Sequence, residues 1–530
     1  MSLPHFPSRP ASIGAVPFAL AVTMLIWLAC AVASAADTPR RPNILLIYTD
    51  DQSYKTVGCY PGHYPWAKTP NIDRLAAEGV RFAGAYLGSW CMPSRASILT
   101  GRHPHGIESM QMKGEYPGAT YDPEKCRFWP SVLRKNGYQT AQIGKWHTGA
   151  DAGYGRDWDH QIVWNRPKHP ENAGAYYEKQ LLAFNGVERK VDGYSTDNYS
   201  RWACDYIRGE HRDAEKPWFL WLCYGAVHGP SHPAARHRGM YADVKVPVPA
   251  DIFPPRPGKP RWLEEVQSWA KGPNGEIVIG KSGEKFDDAA GNRPKTFEAF
   301  VRQMNECVPA IDEGVGQIVA ALKESGQWES TLVVFTSDQG FALGEHGFRT
   351  KLGPWDANYR SPLIVRMPGV TQDGKTSPEA ANAPDLVATF LKTADVAQPW
   401  TVHGEDLTPL LKDPENARRQ HPLLFTHFGQ HFGSDVTEVL KKGDALVHSG
   451  VPWWVAVRDG RYKYIRTLLS GEQDELYDLD ADPEELDNLA LQPPYQAQRE
   501  RMRSLLTKEL RRTVAEFVES LPAIGAAKAE

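Results

Sequence analysis

Five stretches of this chain carry side chains suited to acid–base, metal or anion chemistry, and four of them lie where a predicted strand stops. Asn43 to Thr49 is a continuous apolar run that ends in Asp50-Asp51. Tyr138 to Ile143 leads into Gly144-Lys145-Trp146-His147, Trp218 to Tyr224 into Gly225-Ala226-Val227-His228, and Thr331 to Thr336 into Ser337-Asp338-Gln339-Gly340. Runs of this kind predict strands buried on both faces of a parallel sheet, where ligands bind beyond the carboxyl ends. Four separate segments thus deliver carboxylates, an amide, an ammonium and imidazoles to one sheet edge. The fifth stretch, Cys91 to Arg102, reads as a short helix with Pro93 in its first turn and Gly101 as its stop. Cys91 then sits at a helix N-terminus, where unpaired N–H groups favour an anion, with Arg95 one turn on. Taken alone, Cys91 would read as a buried structural cysteine and Asp50-Asp51 as a solvated turn. Neighbours on a strand point to opposite faces, so both aspartates can serve one ion only if the chain bends there.

The elements that position these groups alternate between strand and helix. Thr69 as N-cap, Pro70 in the first turn, Ile72, Leu75 and Ala76 on one face and Gly79 as stop predict a helix after the first strand. Further helices are expected around Pro130 to Asn136 and from Phe297 to Ser325. This order predicts an α/β fold, a mostly parallel central sheet flanked by helices. Gly229 to Pro294, rich in Pro, Gly, Lys and Asp, is expected to form an irregular insertion on the sheet edge. Beyond Leu410-Leu411 the pattern changes to short strand-like pieces, Trp453 to Val457 and Tyr462 to Arg466, with a final helix near Gln496 to Leu521. A main domain over 40–412 and a smaller C-terminal α+β domain over 413–530 follow as expectations.

Composition limits the partners. Lys and Arg total 60 against 64 Asp and Glu, a formal net charge of -4, which gives no long-range attraction for nucleic acid. An anionic ligand must be held by local cations. Arg9, the apolar run Ile13 to Ala33 and the small-residue site Ala33-Ser34-Ala35 read as a secretory signal peptide over 1–35, the alternative being a retained membrane anchor. A periplasmic or secreted protein with no stable membrane span after cleavage is expected. Six cysteines follow Cys30, none in a C-x-x-C pair, so zinc or thioredoxin-like chemistry has no support, whereas export would permit disulfides.

Cys91-Met92-Pro93-Ser94-Arg95 followed by Leu99-Thr100-Gly101-Arg102 resembles the signature of the formylglycine-dependent sulfatases, of the alkaline phosphatase-like superfamily. Pro42-Asn43-Ile44 with Asp50-Asp51, Gly144 to His147, and Thr336 to Gly340 with Gly344-Glu345-His346-Gly347 match the same pattern in order. A looser likeness lies in Glu475 to Leu479 and Asp482 to Glu485. The resemblance implies that a maturation enzyme oxidises Cys91 to formylglycine. It further implies that Asp50, Asp51, Asp338 and Gln339, with an oxygen of the modified Cys91, hold one calcium ion. An all-oxygen set suits a hard cation, calcium more than zinc. Arg95, Lys145, His147, His228 and Lys351 resemble the family's cationic set, which faces the charge that builds on sulfuryl and leaving oxygens. The implied reaction is in-line attack on sulfur by hydrated formylglycine, with Asp338 as base and His228 or Lys351 protonating the leaving oxygen. His147 then helps remove the proton of the second hydroxyl as sulfate departs; a gem-diol can expel what it captured, which serine cannot. Two positions depart from the family pattern: Gln339 stands where many members have Asn or His, and the proline pattern around the later histidine is altered to Val227-His228-Gly229-Pro230.

Export, 17 tryptophans and polar loops such as Asp157-Trp158-Asp159-His160 and Trp164-Asn165-Arg166 point to a sulfated polysaccharide or oligosaccharide, because aromatic faces stack on sugar rings. Tryptophans are nonetheless more often core residues. Two other readings remain open: a phosphoester or phosphonate hydrolase of the same superfamily, and an inactive glycan-binding protein that keeps the fold. Retention of Cys91, Arg95 and every proposed ligand argues against the second.

Overall fold

The apolar run Asn43–Thr49 is strand β1, and its alternate side chains enter two cores: Ile44, Leu46 and Tyr48 pack on one side, Leu45 and Ile47 on the other. The computed structural model describes residues 1–5, 7–8, 41–113, 118–172, 174–280, 294–443 and 446–524. Of the segment read as a signal peptide, 1–35, the part from Arg9 onward, with its apolar run, lies outside the described residues. Among those described, no helix is long and apolar enough to cross a membrane. The elements found among the described residues run from Asn43 to Ser520.

Nine more strands extend the sheet: β2 (Val80–Tyr86), β3 (Gln139–Lys145), β4 (His160–Trp164), β5 (Gln180–Phe184), β6 (Val187–Val191), β7 (Trp218–Cys223), β8 (Thr331–Ser337), β9 (Leu363–Arg366) and β10 (Lys375–Asn382). Their order is β10-β2-β9-β8-β1-β7-β3-β4-β5-β6. The central run β8-β1-β7-β3-β4 is parallel throughout, while β9 and β5 run against their neighbours. The mostly parallel sheet expected from the sequence is therefore present. Its register matters for the site. Thr49 lies opposite Ser337, and Tyr48 opposite Cys223, so β1, β7 and β8 end at one level and the residues that follow emerge side by side.

Helices α1 (Pro70–Ala77), α2 (Cys91–Thr100), α3 (Trp129–Lys135) and α4 (Ser195–Ile207) flank the sheet. The single helix expected from Phe297 to Ser325 is two, α5 (Phe297–Asn305) and α6 (Val308–Glu324). The break fits Pro309, whose missing N–H suits only a first turn. The insertion from Gly229 is mostly irregular where described, with one short helical turn at Trp262–Glu265 and a small hairpin pairing Trp269–Lys271 with Ile277–Ile279. After α7 (Ala383–Thr393), strands β11 (Leu423–His427), β12 (Trp454–Asp459), β13 (Tyr462–Thr467) and β14 (Glu475–Asp478) form an antiparallel sheet. One face buries Val455, Val457 and Tyr464 against Met502, Leu506 and Leu510 of α8 (Gln496–Arg512). The opposite face sends Phe425, Trp454, Ile465 and Tyr477 into the same core as Tyr48 and Met92.

Candidate active site

The strand ends meet at the start of α2. Asp50 leaves β1 with its N–H bonded to the Ala226 carbonyl (2.9 Å), and its own carbonyl accepts from Val227 N–H (2.7 Å). Asp51 then takes φ 60, a left-handed conformation that L residues adopt sparingly. This is the bend that two adjacent aspartates need in order to face one point. It is held by a hydrogen bond from the Asp51 N–H to Asp338 Oδ1 at 3.0 Å. On the β3 side, Gly144 has φ 107, and a Cβ there would collide with the Cys223 carbonyl oxygen, so only glycine lets Lys145 approach β1 this closely.

Around Cys91 these groups form a closed set. The Cys91 thiol donates to Asp50 Oδ1 at 3.2 Å, and Lys351 Nζ lies 3.1 Å from Sγ and 2.8 and 2.9 Å from the two Asp51 oxygens. Lys145 Nζ is hydrogen bonded to Asp50 Oδ2. Arg95, fully buried, donates through Nη2 to Asp338 Oδ2 at 3.2 Å and through Nη1 to the Lys145 carbonyl at 2.8 Å. Gln339 donates from Nε2 to Asp51 Oδ1 and reaches Cys91 Sγ at 3.5 Å, while its Oε1 accepts from Ser94 Oγ at 3.2 Å. His228 Nε2 stands 3.8 Å from Asp51 Oδ2. His147 lies beside the set, its ring edge-on to Trp90 with centroids 6.3 Å apart and its Nε2 3.2 Å from Arg166 Nη2.

Ligand-type atoms of Asp50, Asp51, Cys91 and Asp338 all lie within 4.8 Å of one another, as do those of Asp50, Cys91 and His228. The first group is three carboxylates about one sulfur atom, and the amide of Gln339 adjoins it. Rotated about its terminal torsion, that amide presents its oxygen in place of its nitrogen, with Ser94 Oγ able to accept instead of donate. Oxygen donors of this kind fit a hard divalent cation.

Three buried carboxyls, Asp50, Asp51 and Asp338, face three buried cations, Arg95, Lys145 and Lys351. Burial tends to raise every carboxyl, but Lys145 and Arg95 hold Asp50 well below the usual range. Burial and the neighbouring Asp50 push Asp338 up to about 8, and burial raises Asp51 too. Burial opposes the charge on Lys351, yet Asp51 keeps its pKa well above the ordinary lysine value. His228 and His147 are held neutral, first by burial and then by nearby cations. Burial and Asp50 push the Cys91 thiol up to about 12, so at neutral pH it is a thiol and a weak nucleophile.

Asp50, Asp51, Cys91, Arg95, Lys145, His228, Asp338, Gln339 and Lys351 meet in this cluster, and His147 lies beside it. Missed were Tyr176, whose ring stacks on His228 (4.2 Å, 7°) and lies 5.1 Å from Lys145 Nζ, Tyr177, whose hydroxyl donates to the His228 carbonyl at 2.6 Å, and Arg166. None ends a predicted strand; Arg166 stood only in the polar loop Trp164-Asn165-Arg166, and the two tyrosines in no quoted segment. Trp158 and Trp164 are 0% and 1% exposed; they build core, the commoner place for tryptophan, and do not offer their faces to a sugar. The cysteines from Cys59 to Cys307 are free thiols. A cleft of about 140 Å³ opens over Asp51, His228 and Lys351, walled by Phe300, Met304, Phe341 and Arg349.

The sulfatase family profile matches residues 42–396, more than half of the chain. The chain belongs to the sulfatase family. A second profile, N-sulphoglucosamine sulphohydrolase, C-terminal, matches residues 344–512 of this sulfatase. It is 27% identical over 557 aligned residues to the N-acetylglucosamine-6-O-sulfatase of Bacteroides thetaiotaomicron, covering 95% of this chain and 93% of that one. To an ulvan-active sulfatase of Formosa agariphila it is 25% identical, over 91% and 83% of the two chains. A solved structure of a protein in complex with its substrate D-glucosamine-2-N,6-O-disulfate superposes with a TM-score of 0.75 at 26% identity, covering 91% of this sulfatase and 100% of that chain. By family the protein is a sulfuric ester hydrolase, and its fold is the mixed α/β sheet of these enzymes with a C-terminal domain.

Proposed function

We propose that this sulfatase removes sulfate from a sulfated polysaccharide or oligosaccharide, using Cys91 oxidised to formylglycine and one calcium ion held by Asp50, Asp51, Asp338 and Gln339. The observation that carries this reading is the convergence of three carboxylates on Cys91 at the N-terminus of α2. Sγ of Cys91 stands where an oxygen of the modified residue would be. Bound there, calcium supplies positive charge against a sulfuryl oxygen, and the oxidised side chain supplies a hydroxyl nucleophile.

The chain's own residues do the rest. Arg95 and Lys145 fix the carboxylates from below and present their charge toward the sulfuryl group. Asp338, whose oxygens accept from the Asp51 N–H and from Arg95, is the carboxylate that would accept the nucleophile's proton. Lys351 and His228 stand on the cleft side of Asp51, where the leaving oxygen departs, and Lys351 carries a proton for it. A sugar substrate is supported by the relatives that act on amino-sugar sulfates and ulvan. Export through a cleaved leader, encounter with a maturation enzyme and the division into 40–412 and 413–530 belong to the same proposal. Assay of inorganic sulfate from a panel of sulfated glycans, with Cys91→Ala as control, tests it: release that needs Cys91 is expected from at least one glycan. Release from none, or faster cleavage of an aryl phosphate than of the matched aryl sulfate, would remove this reading.

A further inference from the structure

Lys351 Nζ stands 3.1 Å from Cys91 Sγ, although 260 positions of chain separate the two residues. The C-terminal sheet reaches both segments from one place. His427 at the end of β11 and Trp454 at the start of β12 face each other in register, their rings stacked at 5.9 Å and 29°. His427 Nδ1 is 2.9 Å from the hydroxyl of Ser89, two residues before Cys91. Trp454 Nε1 donates to the carbonyl of Leu352, the residue after Lys351, at 2.8 Å. The Leu352 N–H in turn donates to the Ser89 carbonyl at 3.1 Å. These contacts close a circuit, Ser89 to His427 to Trp454 to Leu352 and back to Ser89. All four residues are buried, so water cannot replace a bond that is broken. Leu352 also takes φ 84, a left-handed backbone that a non-glycine residue keeps only where its surroundings dictate it. Its N–H and its carbonyl are the two groups that the circuit holds. A further tie runs from the same sheet end, where the Gly429 carbonyl accepts from Trp90 Nε1 at 3.1 Å, one residue before Cys91.

We propose that Ser89, Leu352, His427 and Trp454 are positioning residues, a clamp at the edge of the C-terminal sheet that sets the distance between Lys351 and the side chain at position 91. Each acts through a neighbour: Ser89 through the backbone that enters α2, Leu352 through the backbone that leaves Lys351, and the two aromatic residues through these. The C-terminal sheet thereby takes part in the reaction as well as closing the core. A proton held on Lys351 serves the leaving oxygen only at a fixed distance from the sulfur that residue 91 attacks, and an error of about 1 Å in such a distance can cost on the order of 100-fold in rate. The catalytic consequence rests on the hydrolase reading; the circuit itself does not, being a property of the resting protein.

Two measurements test it, and the first needs no substrate. Trp454→Phe keeps an aromatic ring against His427 but has no N–H for Leu352, and Ser89→Ala removes only a hydroxyl. Hydrogen exchange of the full chain, read by mass spectrometry, should show the segments 86–94 and 349–355 both exchanging roughly 10-fold faster in each variant. Trp454→Phe thus loosens the Ser89 segment, to which it makes no bond, and Ser89→Ala loosens the segment around Leu352. If each variant loosens only the segment that lost its bond, or neither, the circuit does not act as a unit and the proposal is wrong; should Trp454→Phe fold poorly, Ser89→Ala decides alone. On an aryl sulfate, each single variant should lower kcat by about 10- to 100-fold with KM nearly unchanged. The double variant should fall little below the worse single one, because the circuit is already open. An unchanged kcat in variants that fold, or losses that multiply in the double variant, would overturn the positioning role. A wild type without Cys91-dependent sulfate release would remove the hydrolase reading instead, and the exchange pattern would still decide the clamp.

Discussion

Two of the buried ionic clusters among the described residues differ in what they leave unfinished. The one at Cys91 opens onto a cleft through Asp51, His228 and Lys351. The other joins the large sheet to the C-terminal sheet: Lys463, wholly buried, lies 2.8 Å from Asp356 and 2.7 Å from Glu485. Beside it Lys259 donates to Tyr477 Oη at 2.7 Å and lies over the rings of Trp355 and Tyr477. Both clusters balance like with unlike, and both lose heavily if one partner is removed. The second contains no nucleophile, opens onto no described cleft and needs no ion. The first places a cysteine, three carboxylates and an amide around a single point. Charge burial alone therefore does not mark a reaction site; convergence on one nucleophile beneath a cleft does.

Breaking the first cluster should abolish turnover without unfolding the chain. Cys91→Ala is expected to lower kcat/KM on an aryl sulfate by on the order of 10⁴-fold or more, with the melting temperature nearly unchanged by calorimetry. Breaking the second should do the reverse. Lys463→Met removes the ammonium that Asp356 and Glu485 share, leaving Asp356 with Arg360 at 3.5 Å, and should cost about 3–5 kcal/mol in denaturant unfolding, while kcat of the remaining folded fraction stays near wild type. Calcium removal separates the two again: EGTA should suppress activity and lower stability by roughly 2–3 kcal/mol if the ion is normally present at about 100 times its Kd. The same loss should be absent in Asp338→Ala, which has already forfeited the site.

The smallest effect concerns pH. Burial pushes Glu485 up to about 7 against the pull of Lys463, while Asp356 is held low. The folded state then binds the extra proton more tightly than the unfolded chain, whose glutamate titrates near 4.5. Its stability contribution is full below that value and is lost as pH rises toward 7. Glu485→Gln should flatten this slope, a change on the order of 1 kcal/mol between pH 5 and 8, because Asp356 shares the titration.

Much of the first cluster was legible in the sequence, and little of the second. Strand ends announce themselves: apolar Asn43–Thr49 and Thr331–Ser337 stop at Asp50 and Asp338, and the parallel register then brings the two together. Cys91 and Arg95 share one helix, so their spacing was local information. The bend at Asp51, by contrast, depends on an acceptor 287 residues away. Lys463, Asp356 and Glu485 come from three distant segments with no shared periodicity, and only the packed C-terminal sheet joins them. The break between α5 and α6 was available from Pro309 but is hidden by apolar periodicity that runs through it. The tryptophan-bearing loops were ambiguous because their polar neighbours suit exposure while tryptophan favours the core, and Trp158 and Trp164 are buried.

Mass measurement of the Cys91 peptide, from protein produced in its native host, bears most directly on the claim that an oxidised residue 91 is the nucleophile within the Asp50, Asp51 and Asp338 cluster. The account predicts that the peptide carries the aldehyde or its hydrate in place of the thiol. An intact cysteine in protein that still releases sulfate would contradict it.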